Sequence, residues 1–168
     1  TGKGNVYSAG GLFGTFNNED PEMHWGEVSG LKNVANITFE ATATTPRFGG
    51  MIGHAALTAN CPVGALNNMT GFVFYGDIKA IDKKGIVGAI LGADRSENIT
   101  VKNAQLGGNF IFSTETGTDA AGETEVWDVK TPIDLTMIYK TVITEAQAIE
   151  DGCSIIAEKP AVPTVPAQ

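Results

Sequence analysis

The sequence predicts an all-β fold, a short right-handed parallel β-helix (β-solenoid) with one short C-terminal helix, and three observations predict it. Gly10-Gly11-Leu12-Phe13-Gly14 recurs as Gly49-Gly50-Met51-Ile52-Gly53 and, with one glycine changed to alanine, as Gly88-Ala89-Ile90-Leu91-Gly92. The interval from Gly10 to Gly49 is the same as that from Gly49 to Gly88. Next, an asparagine followed by an apolar residue enters a run of strand character at Asn33, Asn68 and, more weakly, Asn98. The connection from the closing glycine of the motif shortens with each unit, from Gly14–Asn33 to Gly53–Asn68 to Gly92–Asn98, while the repeated parts keep their form. Finally, the runs that follow are rich in β-branched and aromatic residues, and one of them alternates with a period of two. A unit of two or three short strands cannot bury its apolar face alone, whereas stacked coils pile equivalent side chains into common columns.

In this reading Leu12, Met51 and Ile90 form one interior column. Phe13, Ile52 and Leu91 lie on the opposite face or at a corner, and Asn33, Asn68 and Asn98 form a polar ladder at a turn. A threefold closed β fold, a trefoil or a β-prism, also suits three units of about 40 residues. The unequal loops and the glycine motif favour the solenoid.

Taken in order, residues 1–14 read as a short strand leading into the first motif, with Val6 and Tyr7 as its strand-forming pair. Residues 15–30 are a surface loop rich in Asn, Asp, Glu and Gly. Ile37, Phe39, Ala41 and Ala43 alternate with Thr38, Glu40 and Thr42 as a strand, which Thr44-Thr45-Pro46 ends. The second unit has a turn at Asn60-Cys61-Pro62-Val63-Gly64, a strand from Phe72 to Ile78 and a turn at Asp82-Lys83-Lys84-Gly85. In the third, Val101 begins a strand and Asn109-Phe110-Ile111-Phe112 makes another, followed by a polar loop from Ser113 to Glu125. The period then lapses, and Ile133 to Val142 reads as a terminal strand. Thr144 and Gln147 match a capping box and Gly152 sits where a C-cap glycine belongs, which predicts a helix over 145–151. Ser154 to Ala157 reads as a last short strand. Pro160, Pro163 and Pro166 make 158–168 a proline-rich tail beyond a single domain over 1–157.

Composition narrows the partners. With 11 Lys and Arg against 19 acids the net charge is −8, which argues against nucleic acid and against anionic lipid. No apolar run approaches the roughly 20 residues that span a bilayer. No signal peptide is seen, and Thr1 reads as the start of a processed or trimmed chain. Cys61 and Cys153 fit either one disulfide closing a long loop or two buried thiols.

The Gly-Gly-apolar-apolar-Gly motif, followed by Leu-x-Asn-apolar and a strand, resembles the glycine-motif β-helical repeats of surface proteins from Bacteroides-type bacteria. The segment from Thr144 to Cys153 resembles their C-terminal cap, and the resemblance covers about residues 5–157. It implies an exported protein of the outer surface, associated with the outer membrane through a lipid anchor upstream of Thr1. It further implies adhesion, or glycan capture beside an outer-membrane importer, and it brings no catalytic residues. Three clear units are too few for an independent long fibre.

The chemistry-bearing residues gather in two loops. His24 and Trp25 lie in loop 15–30 with Glu19, Asp20, Glu22 and Glu27; Trp127 closes loop 113–131 with Glu123, Glu125 and Asp128. Either set is a solvated acidic loop or a sugar platform, in which tryptophan offers a flat apolar face and the carboxylates accept from hydroxyls. No Asp-x-Asp-x-Asp-Gly loop is present, so no metal site is expected. His54, the other histidine, reads as a turn residue satisfied by backbone. The sequons at Asn36, Asn68 and Asn98 are glycosylation acceptors or members of the polar turn. Arg47 and Arg95 are the only arginines and no basic cluster lies near the acids, so a lyase lacks its cation; no paired carboxylates mark a hydrolase. The function expected is therefore a non-catalytic extracellular module that binds a glycan or a neighbouring surface protein through loops 15–30 and 113–131, without a cofactor. The alternatives are a structural subunit of a larger surface assembly and, behind it, a polysaccharide lyase or glycoside hydrolase.

Overall fold

A computed structural model describes residues 8–18, 28–39, 47–57, 66–81, 87–95, 99–113, 115–119, 122–126 and 130–162. The chain is all-β with a single α-helix among these residues. The first tier holds β1 (Ser8–Gly10), β2 (Phe13–Asn18), β3 (Val28–Ser29), β4 (Lys32–Asn33) and β5 (Ile37–Phe39). The second holds β6 (Arg47–Gly49), β7 (Ile52–Leu57), β8 (Leu66–Thr70) and β9 (Val73–Ile81); the third holds β10 (Val87–Gly88), β11 (Ile99–Lys102) and β12 (Gln105–Ser113). Every strand pair between these tiers is parallel: β1-β6-β10, β2-β7, β3-β8-β11, and β4 and β5 on β9, which lies on β12. Trefoils and β-prisms need antiparallel strands around a closed or threefold arrangement. The described sheets are open and mainly parallel, so that alternative does not describe this chain.

The glycine motif forms the sharpest corner, and its composition follows from backbone contact. At each tier one carbonyl takes two successive amides: Met51 O accepts from Leu12 N and Phe13 N at 2.9 and 3.0 Å, and Ile90 O from Met51 N and Ile52 N at 3.1 and 2.9 Å. The strands entering and leaving the corner lie so close that a Cβ on Gly53 would stand 2.5 Å from the Ala9 carbonyl, and one on Gly92 2.6 Å from the Phe48 backbone. Only a residue without a Cβ fits there. Of the expected columns, Met51, Ile90, Ile52 and Leu91 are fully buried. Leu12 is 42 % and Phe13 39 % exposed. Both sit in register on the second tier, but the first tier has no described tier beyond it to cover them.

A second corner sets the register of the remaining strands. Gly30, Gly71, Asn103 and Gly152 all have positive φ, between 53° and 77°, the left-handed conformation that glycine and asparagine tolerate. They stack directly: Gly30 N donates to Thr70 O, Gly71 N to Lys102 O and Asn103 N to Asp151 O, at 3.1, 2.9 and 2.8 Å. This register places Asn33 opposite Phe74, and Phe74 opposite Leu106. The expected ladder of Asn33, Asn68 and Asn98 is therefore not formed. Asn33 lies on β4 and Asn68 on β8, in different sheets. The Asn98 position lies outside the described residues. Asn33 is buried and links its turn to the next tier, its Nδ2 donating to Gly50 O at 2.7 Å while its Oδ1 accepts from Ala35 N within the turn.

Beyond Ser113 the chain differs from the predicted loop. β13 (Glu115–Asp119) and β14 (Gly122–Val126) form an antiparallel hairpin, and β15 (Thr131–Pro132) returns antiparallel to β12. The predicted strand over 133–142 is instead a 3-10 turn (Leu135–Met137), capped by Asp134, followed by a single parallel bridge from Tyr139 to Leu91. Its backbone nevertheless repeats the corner: Ile138 O accepts from Ile90 N and Leu91 N at 3.0 and 3.1 Å. This is a fourth turn of the motif without its glycines. The buried Tyr139 hydroxyl accepts from Val101 N at 2.8 Å, and burial pushes its pKa up.

The helix α1 (Glu145–Glu150) begins on the predicted capping box. It ends in a Schellman motif, Cys153 N to Ala148 O and Gly152 N to Ile149 O. Gly152 thus serves as both helix terminator and last left-handed corner. β16 (Ser154–Ile155) then pairs with β12. Cys153 is buried with a free thiol, so the bridge to Cys61 is not made; Cys61 lies outside the described residues. The start of the predicted tail does not hang free. Tyr75 Oη donates to Ala157 O and Lys32 Nζ to Ala161 O, so residues 157–161 run back across the stack from β9 towards β4.

The core fills the space between the sheets. β9 alternates, with Phe74, Ile78 and Ala80 inside, and Phe39 stacks on Phe48 with ring centroids 4.5 Å apart. Burying such side chains is the main stabilising term.

Candidate functional site

The outer face of β9 and β12 carries the polar cluster that the fold assembles most deliberately. Ala35-Asn36-Ile37, Gly76-Asp77-Ile78 and Gly108-Asn109-Phe110 occupy matching positions of three successive tiers, since Ile37 lies opposite Ile78 and Asp77 opposite Asn109. Asn36 Oδ1 accepts from Asp77 N at 2.9 Å. The Asp77 carboxylate accepts from Asn109 Nδ2 and from Lys130 Nζ, both at 2.7 Å. Burial alone would raise the Asp77 pKa. The hydrogen bonds from Lys130 and Asn109 and the charges of Lys130 and Lys79 outweigh it and hold the carboxyl below the usual range. An acid so held, with both oxygens engaged, is a clasp between tiers rather than a base poised near neutrality.

A second clasp joins the third tier to the C-terminal cap. Arg95 makes a two-pronged ion pair with Asp151, Nε to Oδ2 at 2.9 Å and Nη2 to Oδ1 at 3.1 Å. That geometry is the strongest an arginine and a carboxylate form.

The residues expected to bind ligand are not part of either clasp. Asp20, Glu22, His24, Trp25, Trp127 and Asp128 lie outside the described residues. Glu125 stands on β14, opposite Thr116 in the hairpin, with its backbone alone described. The described structure shortens both expected loops. β2 carries the chain as a strand to Asn18 and β3 resumes at Val28; the hairpin takes most of 113–131. The strands that flank the two segments belong to different sheets, β2 and β3 for the first and β12 and β15 for the second. Lys130, in the second segment, ties its foot to Asp77.

Compared with protein-family models, with curated proteins and with solved structures, the chain matches none. Among the described residues no group of three or more His, Cys, Asp and Glu side chains could hold a metal ion, and no helix is long and apolar enough to cross a membrane.

His54 departs from its expected role as a backbone-satisfied turn residue. It stands within β7, opposite Thr15 of β2, and its ring nitrogens lie 2.7 and 3.1 Å from Arg47 Nη1. Sequence reasoning misses the Asp77 clasp because it depends on register between tiers, and an alignment based on Asn33, Asn68 and Asn98 is shifted. It misses the Arg47–His54 pair because the two residues meet only across the fold of one glycine corner. The signal that finds the clasp is a small residue, then Asn or Asp, then a large apolar residue, in step with the left-handed corners.

Proposed function

We propose that the chain is a short right-handed parallel β-helix serving as a non-catalytic surface module, which binds a glycan or a neighbouring surface protein through segments 15–30 and 113–131. The observation that carries this reading is a division of labour along the chain. Several polar side chains on the repeating frame are engaged in joining tiers: Asn33, Asp77 and the Arg95–Asp151 pair. The breaks in the repeat are the two stretches that hold Trp25 and Trp127 among acids. Irregular segments on a rigid scaffold are where binding usually resides. Parallel tiers joined by crossovers favour the right-handed sense, and an exported protein at the outer surface is the setting that the repeat motif suggests.

The structural-subunit reading is favoured by a different observation. Among the described residues, large exposed apolar side chains include Leu12 and Phe13 at the start of the stack and Val142, Ile149 and Ile155 near its close. Apolar side chains exposed at both ends suit end-to-end contact with other chains.

A glycan array probed with the wild type and with the Trp25→Ala/Trp127→Ala double variant tests the first reading. We expect bound sugars to be lost in the double variant. Binding that survives it refutes the sugar platform, and no binding alongside concentration-dependent association in light scattering favours the subunit.

A further inference from the structure

We infer that Arg47 and His54, with the hydroxyls of Ser8 and Thr15 beside them, form a site for a single oxyanion, the carboxylate or sulfate of an acidic sugar. The inference rests on the glycan reading only for the source of that group, and it needs neither tryptophan.

The four side chains are brought together by the motif itself. Ser8 and Thr15 flank the first glycine corner and Arg47 and His54 flank the second; the register sets Ser8 opposite Arg47 and Thr15 opposite His54. Neighbouring parallel strands lie about 4.8 Å apart, so the four side chains make one small patch. Within it Ser8 Oγ is 2.7 Å from Thr15 Oγ1, and Arg47 Nη1 is 2.7 Å from His54 Nε2. All four are exposed or half-buried, so a ligand can reach them.

Arg47 is the reason to expect an anion. A guanidinium carries five N–H donors and matches planar oxyanions two bonds at a time. The chain's other arginine, Arg95, has Asp151 in that role. Among the described residues Arg47 has no carboxylate within ion-pair distance, and the polar group it faces is an imidazole. Placing a cation against histidine disfavours the imidazolium. Burial first, then the charges of Arg47 and Lys140, push the His54 pKa down. Lys140 Nζ itself lies 3.7 Å from the Asp94 carboxylate. An oxyanion seated on Arg47 would cancel this repulsion, allow His54 to take a proton, and accept a hydrogen bond from it and from the hydroxyls. Ligand binding and protonation of His54 therefore favour each other, and affinity rises as pH falls. The net charge of −8 turns away polyanions such as nucleic acid but leaves room for one charged group on a sugar.

The test is an NMR titration of the His54 ring protons against pH, with inorganic sulfate, with glucuronate, and without either. Expected is a rise in the His54 pKa of about one unit with at least one of the two. Affinity should fall about tenfold or more in Arg47→Gln, the loss that follows removal of a charge-assisted hydrogen bond. Lys102→Gln, which removes an equal charge from another face, should bind like wild type. A response to sulfate alone assigns sulfated sugars, and one to glucuronate assigns uronates. An unmoved His54 with both ligands overturns the site, as does equal weakening in Arg47→Gln and Lys102→Gln. The Trp25→Ala/Trp127→Ala variant should titrate like wild type, so failure here and failure of the tryptophan platform are told apart.

Discussion

Gly92→Ala and Gly53→Ala each destabilise the chain by about 3 kcal/mol or more, whereas Gly14→Ala leaves stability unchanged or raises it by up to about 1 kcal/mol. The three glycines close the three copies of the same motif, and none has a positive φ, so conformational preference does not separate them. What separates them is the neighbouring tier. A Cβ on Gly53 meets the backbone of Ala9, and one on Gly92 meets the backbone of Phe48 and the carbonyl of Gly53. Backbone cannot rotate out of the way as a side chain can, so the tiers must part. A Cβ on Gly14 comes no closer than 3.9 Å to Ser8 O, an ordinary contact. There the gain in unfolded-state order from alanine is the dominant effect. Urea unfolding midpoints of the three variants measure this directly, and three equal losses would contradict the tiered account.

Met51→Ala should cost about 2–5 kcal/mol, and Leu12→Ala less than about 1 kcal/mol. The two residues are equivalent in the motif and adjacent in the stack, with Leu12 N donating to Met51 O. Met51 is fully buried between its neighbours, so truncation leaves a cavity as well as losing transfer energy. Leu12 stands at the start of the stack, 42 % exposed, and its loss leaves little void. Thermal or urea unfolding tells these apart, and a large loss at Leu12 would mean that something covers the first tier in solution.

The parts of the fold legible in the sequence are those fixed by local or steric demands. The glycine motif is legible because a touching backbone tolerates no Cβ, and the helix because Thr144, Gln147 and Gly152 act within one or two turns. The fourth turn is hidden because Met137-Ile138-Tyr139 makes the corner hydrogen bonds without the glycines. The β13–β14 hairpin also breaks the period, making the interval from Ile90 to Ile138 longer than those from Leu12 to Met51 and from Met51 to Ile90. Register is misread because one corner uses Asn103 where its equivalents are glycine, which makes the asparagines at 33, 68 and 98 look like the repeating feature. Of the candidate site, the tryptophans and acids stand out by composition alone. The Asp77 clasp joins residues of different tiers, which only the correct stacking reveals, and the Arg47–His54 pair joins opposite arms of one corner, which only its sharp turn brings together.

Strands from successive tiers lie side by side in parallel, and the neighbours of Phe48 are the place to measure it. Phe48 sits in the middle strand of three, opposite Ala9 on one side and Val87 on the other, each one repeat away along the chain. Backbone nuclear Overhauser contacts should run from Phe48 to both, in the staggered pattern of parallel strands. Contacts to only one of them, or the close Hα–Hα contacts of an antiparallel pair, would contradict the account.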